Sequence, residues 1–487
     1  MNNRPKVAYS YINGKKVQGR STNEFDVYFP GNGEKLFSTF ESSVNQIDEA
    51  VDVATIAQKS WKNFSTRDRG RILIQAAFLI RKYKQELAEM EVWDTGKPLS
   101  EALEVDIITA ADALEYYGNL AITLHGDYYS LPDADIFTKV EPIGICAGIG
   151  AWNYPFQIAS WKSAPALACG NAFLFKPSEL TPLSAVRLAE IYEEAGLPKG
   201  LFQVLQGGAN VGQALTKHQG IQKISFTGEA GTGRKIMSDS SGNLKTLTME
   251  LGGKSPLILF SDVDPNVAAK AALSANFYTQ GEVCTNGTRV FVEESFLASF
   301  KKSILEFSNS IRIGNPFDLK TNVGALISKQ HLSKVRDYVK SGIDQGANPI
   351  EFGELPSDPW TNGYFMKPVI FYDCQDSMKI VQEEIFGPVM SVLSFKSENE
   401  VIERANSTEF GLGAGIFTKD INRIQKFCDE IESGMIWINN YNLTPMEMPF
   451  GGTKQSGFGK ENGLDALQFY TKRKSIYYSK SEVFSPF

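Results

Sequence analysis

IGICAGIGAWNYPFQIASWKSAPALACGNAFLFK, residues 143–176, is the stretch that indicates the fold most directly. It begins and ends with apolar runs of strand length, Ile143–Ile149 and Ala172–Phe175, and it carries a helical segment, Trp161–Cys169, between them. Similar apolar runs continue downstream and alternate with helical segments; they are Phe202–Leu205, Ile221–Phe226, Thr246–Met249 and Pro256–Phe260. This alternation predicts an α/β fold with a parallel, doubly wound sheet, in which ligands bind at the carboxyl ends of the strands.

The regions on either side extend this pattern. Long helical stretches precede it at Arg67–Trp93 and Leu99–Gly118. Within it, one helix is predicted to start at Pro182, with Thr181 as its cap. The chain downstream repeats the strand–helix alternation with longer loops, and the tail from Lys472 is predicted to form an edge strand.

Length and composition limit the classes of protein to consider. A chain of 487 residues is expected to form two or three domains. The net charge of −7 argues against a general nucleic-acid or anionic-membrane surface, because such surfaces need basic patches. No run approaches the ~18 apolar residues of a membrane span, so no membrane partner is expected.

The numbers and positions of the cysteines and histidines limit which catalytic and metal-binding groups are expected. The five cysteines are scattered without a CxxC pair, and the chain does not begin with an apolar signal stretch. Both features predict reduced thiols in a cytoplasmic protein. The three histidines lie at no metal-ligand spacing, so neither a metal site nor a Cys–His dyad is expected. A general base is then expected to be a carboxylate or a lysine.

The segment NFYTQGEVCTNGT, residues 276–288, carries Cys284 in a turn rich in Gly, Asn and Thr. A buried structural cysteine more often lies within an apolar run, and loops on a rigid scaffold often carry reactive groups. The local sequence is equally compatible with a catalytic thiol and with an inert surface thiol.

Two glycine clusters follow strands of the predicted sheet, GGANVG at 207–212 and FTGEAGTG at 226–233. Their backbone amides suit a pyrophosphate, although a tight strand–helix turn explains the glycines equally well. Lys176 and Glu179 follow another strand, where a lysine and a carboxylate can hold a ribose. A solvated charge pair is the alternative for these two residues.

Two further polar residues follow strands. Glu250, in MELGGKS at 249–255, either faces a wet cleft or has a raised pKa suited to a general base. Asn153 can donate its amide to a developing oxyanion, or it caps a turn. Together, a thiol, an amide donor, a carboxylate base and dinucleotide-type loops suit the oxidation of an aldehyde. In that reaction a thiolate adds to the carbonyl, a hydride leaves to a nicotinamide, and activated water hydrolyses the thioester.

These motifs resemble those of the NAD(P)-dependent aldehyde dehydrogenases. MELGGKS and FYTQGEVC look like the two signatures of that family, with 34 residues from Glu250 to Cys284. WNYPF, FKPSE, FTGxxxxG, EIFGP and PFGGxKxSG occur in the family's order and together cover essentially the whole chain. The resemblance implies Cys284 as nucleophile, Glu250 as general base, and Asn153 with the Cys284 amide as oxyanion hole. Lys162 and Glu461 match positions suggested for a proton path in relatives.

The resemblance also implies a cofactor and the residues that bind it. NAD is expected because the Glu179 carboxylate would repel a 2′-phosphate, although relatives with that glutamate accept NADP as well. The implied cofactor-binding residues are Trp152, Lys176, Ser178, Glu179, Gly208, Gly212, Phe226, Thr227, Gly228, Thr232, Leu251, Glu384 and Phe386.

The family fold implies three parts. The first is a Rossmann-like dinucleotide-binding domain at 1–123 and 143–252, and the second is an α/β catalytic domain at 253–455. The third is a small β arm at 124–142 and 466–487, through which such enzymes form a homodimer or homotetramer.

Within the family, the segments 161–172, 283–292 and 447–463 are most similar to betaine aldehyde and trimethylaminobutyraldehyde dehydrogenases. A quaternary ammonium group needs an aromatic cage, and the aromatic positions that such enzymes use are occupied here by Tyr154, Trp161 and Tyr278. A generic hydrophobic tunnel is the alternative for these three residues. Glu282 stands where most members carry Gln and adds negative charge two residues from the thiol. The loop 440–446 lacks the tryptophan that some plant members place near there.

The predicted function is therefore oxidation of a small-molecule aldehyde, with betaine aldehyde as the preferred substrate and glycine betaine as the product. An ω-aminoaldehyde or a broad range of aliphatic aldehydes is the alternative. A CoA-acylating enzyme would need no water-activating carboxylate, so Glu250 argues against it. A non-catalytic homologue should have lost Cys284 or Glu250, and this chain keeps both.

Overall fold

The computed structural model describes residues 4–487, and the predicted strands and helices form two open sheets packed with helices. Residues 1–3, which begin the segment predicted as 1–123 of the dinucleotide-binding domain, lie outside the described residues. No helix between residues 4 and 487 has both the length and the apolar character needed to cross a membrane.

The strands, in chain order, are β1 (Ser10–Ile12), β2 (Lys15–Val17), β3 (Glu24–Tyr28), β4 (Lys35–Phe40), β5 (Tyr128–Ser130), β6 (Ala134–Pro142), β7 (Ile145–Ile149), β8 (Ala172–Lys176), β9 (Phe202–Val204), β10 (Lys223–Thr227), β11 (Thr246–Glu250), β12 (Pro256–Leu259), β13 (Arg289–Glu293), β14 (Asn348–Glu351), β15 (Val369–Tyr372), β16 (Val389–Phe395), β17 (Phe410–Gly411), β18 (Gly413–Phe417), β19 (Met435–Ile438), β20 (Thr453–Lys454), β21 (Gly457–Phe458) and β22 (Thr471–Ser479).

The α-helices are α1 (Val44–Trp61), α2 (Thr66–Lys82), α3 (Lys84–Thr95), α4 (Leu99–Glu101), α5 (Ile107–Leu120), α6 (Pro155–Ala168), α7 (Ser184–Glu194), α8 (Ala209–Lys217), α9 (Ala230–Ser240), α10 (Pro265–Phe277), α11 (Leu297–Ser308), α12 (Lys329–Asp344), α13 (Lys379–Gln382), α14 (Glu398–Asn406), α15 (Ile421–Glu430) and α16 (Asp465–Gln468). A π-helical turn, Ala102–Asp106, joins α4 to α5.

The first sheet has eight strands in the order β2-β1-β9-β8-β7-β10-β11-β21. Its central strands, β9 to β11, are parallel, whereas β1 and β21 join its two sides antiparallel. Strands β7 and β8 are buried along their whole length because helices cover both faces of the sheet. The predicted parallel, doubly wound α/β sheet is confirmed.

The second sheet has seven strands in the order β14-β15-β16-β13-β12-β18-β19 and is parallel from β15 to β19. A separate three-stranded sheet has the order β22-β6-β5, so the tail forms the predicted edge strand. These three strands come from the segments predicted for the oligomerisation arm. The domain boundaries themselves stay predictions.

Three of the predicted helices differ from the structure in their details. The stretch Arg67–Trp93 forms two helices, α2 and α3, which meet at Tyr83. The Tyr83 hydroxyl donates to Glu194 and the ring packs under Arg187, so tertiary contacts favour the break. The stretch Leu99–Gly118 is interrupted by the π-helical turn, which apolar periodicity does not reveal.

The predicted cap at Thr181 is wrong. Helix α7 begins at Ser184 rather than at Pro182, and its first amides are capped from another helix. The backbone amide of Leu183 donates to Asp94 Oδ2 of α3 at 3.0 Å. A buried carboxylate distant in sequence therefore replaces the local hydroxyl, which sequence reading alone cannot detect.

Candidate active site

The turn that carries the candidate nucleophile has an unusual backbone. After α10 ends at Phe277, Thr279 (φ 48°), Gln280 (φ 43°) and Gly281 (φ 78°) are all left-handed. A β-branched residue such as Thr279 is strained in this region, so surrounding contacts must hold it there. Glycine is required at 281, because a Cβ there would collide with the backbone of Gly387.

Hydrogen bonds also hold the residues that precede and follow Cys284 in the chain. Asn276 Nδ2 donates to the carbonyls of Ala272 and Gly287, at 2.9 and 3.1 Å. The Tyr441 hydroxyl donates to the carbonyl of Thr285 at 2.8 Å. These bonds fix the chain on both sides of Cys284 just before β13 begins.

Asn153 reaches this turn from the loop after β7, as the oxyanion prediction requires. Its Nδ2 donates to the carbonyl of Glu282 at 2.9 Å, two residues before Cys284. A side-chain amide has two N–H donors, so the second remains for a ligand beside the thiol. The arrangement can support an oxyanion, and the role stays a prediction.

Glu250 is the last residue of β11 and is buried, with 3% of its surface exposed. Neither carboxylate oxygen has a hydrogen-bond partner within the described chain. Burial raises the pKa of Glu250 well above its ordinary value, and the nearby Glu461 carboxylate raises it further. A carboxyl group of this kind is suited to accept a proton from water.

The Cys284 thiol lies in the same electrostatic environment. Burial raises its pKa, and the carboxylates of Glu384 and Glu250 raise it further. The resting thiol is therefore protonated and needs a base before it can attack a carbonyl.

Lys162 and Glu461, the predicted proton-path residues, are in contact. Lys162 Nζ in α6 donates to Glu461 and, at 2.9 Å, to Ser225 Oγ. Ser225 in turn donates to Glu461 Oε1 at 2.8 Å. Because Glu461 also acts on the pKa of Glu250, the two carboxyl groups are electrostatically linked. The sequence did not identify Ser225.

Strands β9, β8, β7 and β10 are consecutive in the first sheet, and the carboxyl ends of β8, β9 and β10 each lead into residues predicted to bind the cofactor. Lys176 Nζ donates to the carbonyls of Pro177 and Gly207 at 2.7 and 2.6 Å, and lies 3.6 Å from Glu179. Glu41, which the sequence analysis missed, accepts from the amide of Gly208 at 2.9 Å. Carboxylates from two loops thus lie beside Gly208, and their role in binding a ribose stays a prediction.

The strand–helix turn after β10 is suited to a pyrophosphate. Thr227 Oγ1 is buried and lacks a hydrogen-bond partner among residues 4–487. Helix α9 begins beyond Gly228 without a side-chain cap, and its N-terminal amides are free to bind an anion. Thr232 is exposed in the first turn of this helix. An uncapped helix and an unpaired hydroxyl at one place fit a dinucleotide.

The nicotinamide end of the predicted cofactor site lies close to Cys284. Trp152 packs edge-on against Phe386 and His331, with ring centroids 5.1 and 5.3 Å apart. Glu384 accepts from the amide of Gly253 at 3.1 Å, and burial raises its pKa to about 7. His331, another residue that sequence reading missed, lies 2.6 Å from the Phe386 carbonyl through Nε2.

The other predicted cofactor residues line the same edge of the first sheet. Ser178 is buried and accepts from Leu180, and Gly212 lies beside the Lys176 stem. Phe226 is buried in β10, and the Leu251 side chain packs against Gly233 of α9. The structure thus groups the predicted cofactor residues around one edge, and their roles stay predictions.

The three predicted substrate residues differ in their surroundings. Trp161 packs against Phe450, with centroids 5.6 Å apart, and its Nε1 is buried without a partner in the described chain. Tyr278 is half-buried beside the nucleophile turn. The ring of Tyr154 already carries a cation, because Lys97 Nζ lies 3.9 Å from its centroid.

Within residues 4–487, no group of three or more His, Cys, Asp and Glu side chains is arranged to hold a metal ion.

The sequence analysis missed three residues of the site, Glu101, Glu41 and His331, because each lies in a stretch that has the pattern of an ordinary helix or loop. Glu101, which accepts from the Thr279 backbone amide in the nucleophile turn, is one of several acidic residues in the predicted helix 99–118, so nothing in the sequence singled it out.

Comparisons with known proteins agree with this geometry. The model of the aldehyde dehydrogenase family matches residues 16–476. A betaine aldehyde dehydrogenase from Vibrio vulnificus is 48% identical over 483 residues, which cover 99% of this chain and 99% of that protein.

Solved structures are similar over the same length. An indole-3-acetaldehyde dehydrogenase from P. syringae, solved with NAD+, has a TM-score of 0.95 at 36% identity, covering 98% of this chain and 97% of that one. A betaine aldehyde dehydrogenase from Staphylococcus aureus, also solved with NAD+, has a TM-score of 0.93 at 34% identity, covering 98% of each chain.

Proposed function

Because the chain belongs to the aldehyde dehydrogenase family, we propose that it oxidises betaine aldehyde to glycine betaine with NAD+. The observation that carries the proposal is the meeting of Cys284, Asn153 and Glu250 at one point between the two sheets. A thiol, an amide donor and an unpaired buried carboxylate are the groups that oxidation through a thioester requires.

The proposed reaction has two halves, formation of a thioester on Cys284 and hydrolysis of that thioester. A base removes the Cys284 proton, the sulfur adds to the aldehyde carbon, and the carbonyl oxygen accepts the Asn153 amide and the Cys284 backbone amide. Bound nicotinamide supplies the acceptor for the hydride that leaves this carbon. Glu250 then takes a proton from water, the hydroxide attacks the thioester, and the acid leaves as the thiol is restored.

The cofactor would be held by the groups at the strand ends. Glu179 and Glu41 accept from the ribose hydroxyls, the uncapped start of α9 and Thr227 face the pyrophosphate, and Trp152 and Phe386 border the nicotinamide. The Glu179 carboxylate disfavours a 2′-phosphate, so NAD+ is preferred over NADP+.

The cationic substrate is supported by two observations. The chain is 48% identical to a protein named betaine aldehyde dehydrogenase. Tyr278 lies in the nucleophile turn and Trp161 packs against Phe450, and aromatic faces such as theirs attract quaternary ammonium groups. Tyr154 contributes less to such a cage than the sequence predicted, because Lys97 already lies over its ring.

An oligomer is part of the proposal. The three-stranded sheet exposes four aromatic side chains, Tyr128, Tyr129, Tyr477 and Tyr478. Exposed apolar patches of this kind mark contacts between subunits, which supports a homodimer or homotetramer built through 124–142 and 466–487. We also propose that the protein acts in the cytoplasm, where its unpaired cysteines would stay reduced.

Steady-state kinetics with three aldehydes test the substrate. We expect the highest kcat/KM for betaine aldehyde, a lower value for 4-aminobutyraldehyde and the lowest for hexanal. A preference for 4-aminobutyraldehyde would assign the protein to ω-aminoaldehydes, and a preference for hexanal would remove the cationic substrate altogether.

Two variants test the chemistry. Cys284→Ala should abolish activity, whereas Cys428→Ala, at an exposed cysteine, should leave it unchanged. Glu250→Gln should release about one equivalent of NADH per site and then stall, because the thioester forms without a base to hydrolyse it. Full turnover by Cys284→Ala, or a steady state without a burst in Glu250→Gln, would contradict these roles.

A further inference from the structure

A buried carboxyl group outside the predicted site is bonded to the nucleophile turn. Glu101 ends α4 and has 7% of its surface exposed. Its two carboxylate oxygens accept from the backbone amide of Thr279 at 3.2 and 3.0 Å, and Oε2 also accepts from the Thr279 hydroxyl at 3.1 Å. Thr279 is the first residue of the left-handed turn, five residues before Cys284.

The same hydroxyl connects the turn to the oxyanion loop. Tyr154 lies beside Asn153, and its hydroxyl is 2.8 Å from Thr279 Oγ1. A threonine hydroxyl has one proton. When Glu101 is ionised, Thr279 donates that proton to Glu101, and Tyr154 is then the donor to Thr279. The series Tyr154, Thr279, Glu101 therefore joins three segments of the chain through directed hydrogen bonds.

Two further buried side chains hold the Tyr154 ring in place. Lys97 Nζ lies 3.9 Å from the centre of the ring and pairs with Asp106, and both side chains are fully buried. Since Lys97 and Asp106 flank Glu101 in sequence, one helical region provides the carboxyl group under the turn and the cation over the ring. A buried ion pair of this kind retains its geometry because breaking it leaves an uncompensated charge.

The backbone of Thr279 explains what these bonds accomplish. A threonine with φ of 48° is strained, and such conformations persist only when neighbouring contacts impose them. The three bonds to Glu101 supply that constraint. If they are lost, the turn is expected to relax, and the Cys284 thiol then moves relative to the Asn153 amide.

We infer that Glu101 is a positioning residue, which acts through Thr279 to hold the Cys284 turn and through Tyr154 to fix its distance from Asn153. The inference rests on the proposed aldehyde oxidation. Glu101 touches neither the thiol nor the oxyanion position. Its contribution is the geometry in which thiol, carbonyl carbon and amide donor are aligned.

Substitutions at Thr279 test this inference without removing a buried charge. Thr279→Val keeps the shape of the side chain and the backbone bonds to Glu101, but it removes the hydroxyl's bonds to Glu101 Oε2 and to Tyr154, whereas Thr279→Ser keeps the hydroxyl. Thr55→Val is the matched control, since its hydroxyl only donates to the Val51 carbonyl in α1. The measurements are kcat, the KM for NAD+ and the thermal unfolding midpoint, with the aldehyde that the wild type oxidises fastest.

We expect Thr279→Val to lower kcat roughly tenfold or more, since small misplacements of reacting groups reach about 10²-fold. Thr279→Ser should recover most of the loss, and the KM for NAD+ should not change in either variant. A kcat for Thr279→Val within about twofold of the Thr55→Val control would overturn the inference. So would a loss that the serine does not recover.

Tyr154→Phe provides a second route if Thr279→Val does not fold. It removes the donor to Thr279 and keeps the ring under Lys97, so kcat should fall while the unfolding midpoint stays near that of the wild type. In a double-mutant cycle its effect and that of Thr279→Val should be less than additive, because both break the same bond. Strict additivity, or an unchanged kcat for Tyr154→Phe, would contradict the inference.

Different results would contradict the proposed aldehyde oxidation and the positioning role of Glu101. If the wild type oxidises none of the aldehydes, the proposed function is wrong. If the wild type and the Thr279 variants are equally active while Cys284→Ala is inactive, the function stands and the positioning role is wrong.

Discussion

At the scale of single residues, the charges around Cys284 have the opposite sign to those of most reactive cysteines. Low-pKa cysteines lie beside cations or helix N-termini. Here burial raises the thiol pKa, and the carboxylates of Glu384 and Glu250 raise it further, so the thiol is protonated at rest. Reactivity then depends on a base that removes the thiol proton.

Glu282 provides a pH-dependent prediction at the same scale. Burial raises its pKa to about 8, while its carboxyl group accepts from Ile327 and Gln280. Between its unfolded pKa, about 4.3, and about 8, the folded protein binds one more proton than the unfolded chain, so the wild-type free energy of unfolding falls as pH rises. Glu282→Gln lacks this group and should lack this slope.

Relative to the wild type, Glu282→Gln should therefore gain about 1 kcal/mol of stability per pH unit between pH 6 and pH 8. Urea unfolding at several pH values measures this difference, and the value at pH 6 corrects for any change in hydrogen bonding. Glu115→Gln, at a surface ion pair of α5, should show no such gain. Parallel pH curves for Glu282→Gln and the wild type would contradict the prediction.

At the scale of elements, the start of α7 depends on a residue from another helix. Asp94 accepts from Leu183, and burial raises its pKa well above the ordinary value. Asp94→Ala would leave the first amides of α7 without a buried acceptor. We expect a loss of about 1–3 kcal/mol in the free energy of unfolding, measured in urea.

Asp94→Asn should lose much less, because its amide oxygen can still accept from Leu183. Asp112→Ala is the surface control, since it removes only an exposed pair with Arg81. If Asp94→Asn were as unstable as Asp94→Ala, the carboxyl oxygen would not be acting as the cap.

Helix α7 is also an example of a feature that the sequence alone predicts only in part. Apolar runs predicted the central strands of the first sheet, β7 to β11, because central parallel strands are buried on both faces and have few alternatives. The start of α7 and the break at Tyr83 were not predictable, since Asp94 and Glu194 act on them across long sequence distances. The π-helical turn after Glu101 leaves no periodic signal.

At the scale of the whole molecule, the last strand completes a sheet that the chain began more than 300 residues earlier. Removing residues 471–487 would leave all nine residues of β6 without their partner on one side. An open, uncovered edge associates with other chains. We expect this truncation to give aggregates by size-exclusion chromatography with light scattering.

Removal of residues 481–487 alone is the control and should give the wild-type profile, because these residues lie beyond β22. A well-behaved, wild-type-sized particle lacking 471–487 would show that the arm does not need its third strand.

The residues of the candidate site could be predicted from the sequence more readily than the residues that hold its loops in place. Residues that would meet substrate or cofactor, such as Cys284, Glu250 and Glu384, follow strand ends or turns and carry recognisable motifs. Glu41 contacts that site through the backbone amide of Gly208, and Glu101 contacts it through the backbone amide and the hydroxyl of Thr279. Such contacts depend on how separate parts pack, and no local spacing encodes them.

The edge strands of the first sheet come from two distant parts of the sequence, β2 near residue 16 and β21 near residue 457. Strands β1 and β2 close one side, and β21 pairs with β11 beside Glu250 on the other. During translation, β11 therefore leaves the ribosome about 200 residues before its neighbour. At about 5–20 residues per second, the nascent chain holds the Glu250 strand as an open edge for ~10 s or longer. The sheet edge beside Glu250 can therefore close only after residues 457 and 458 have been synthesised.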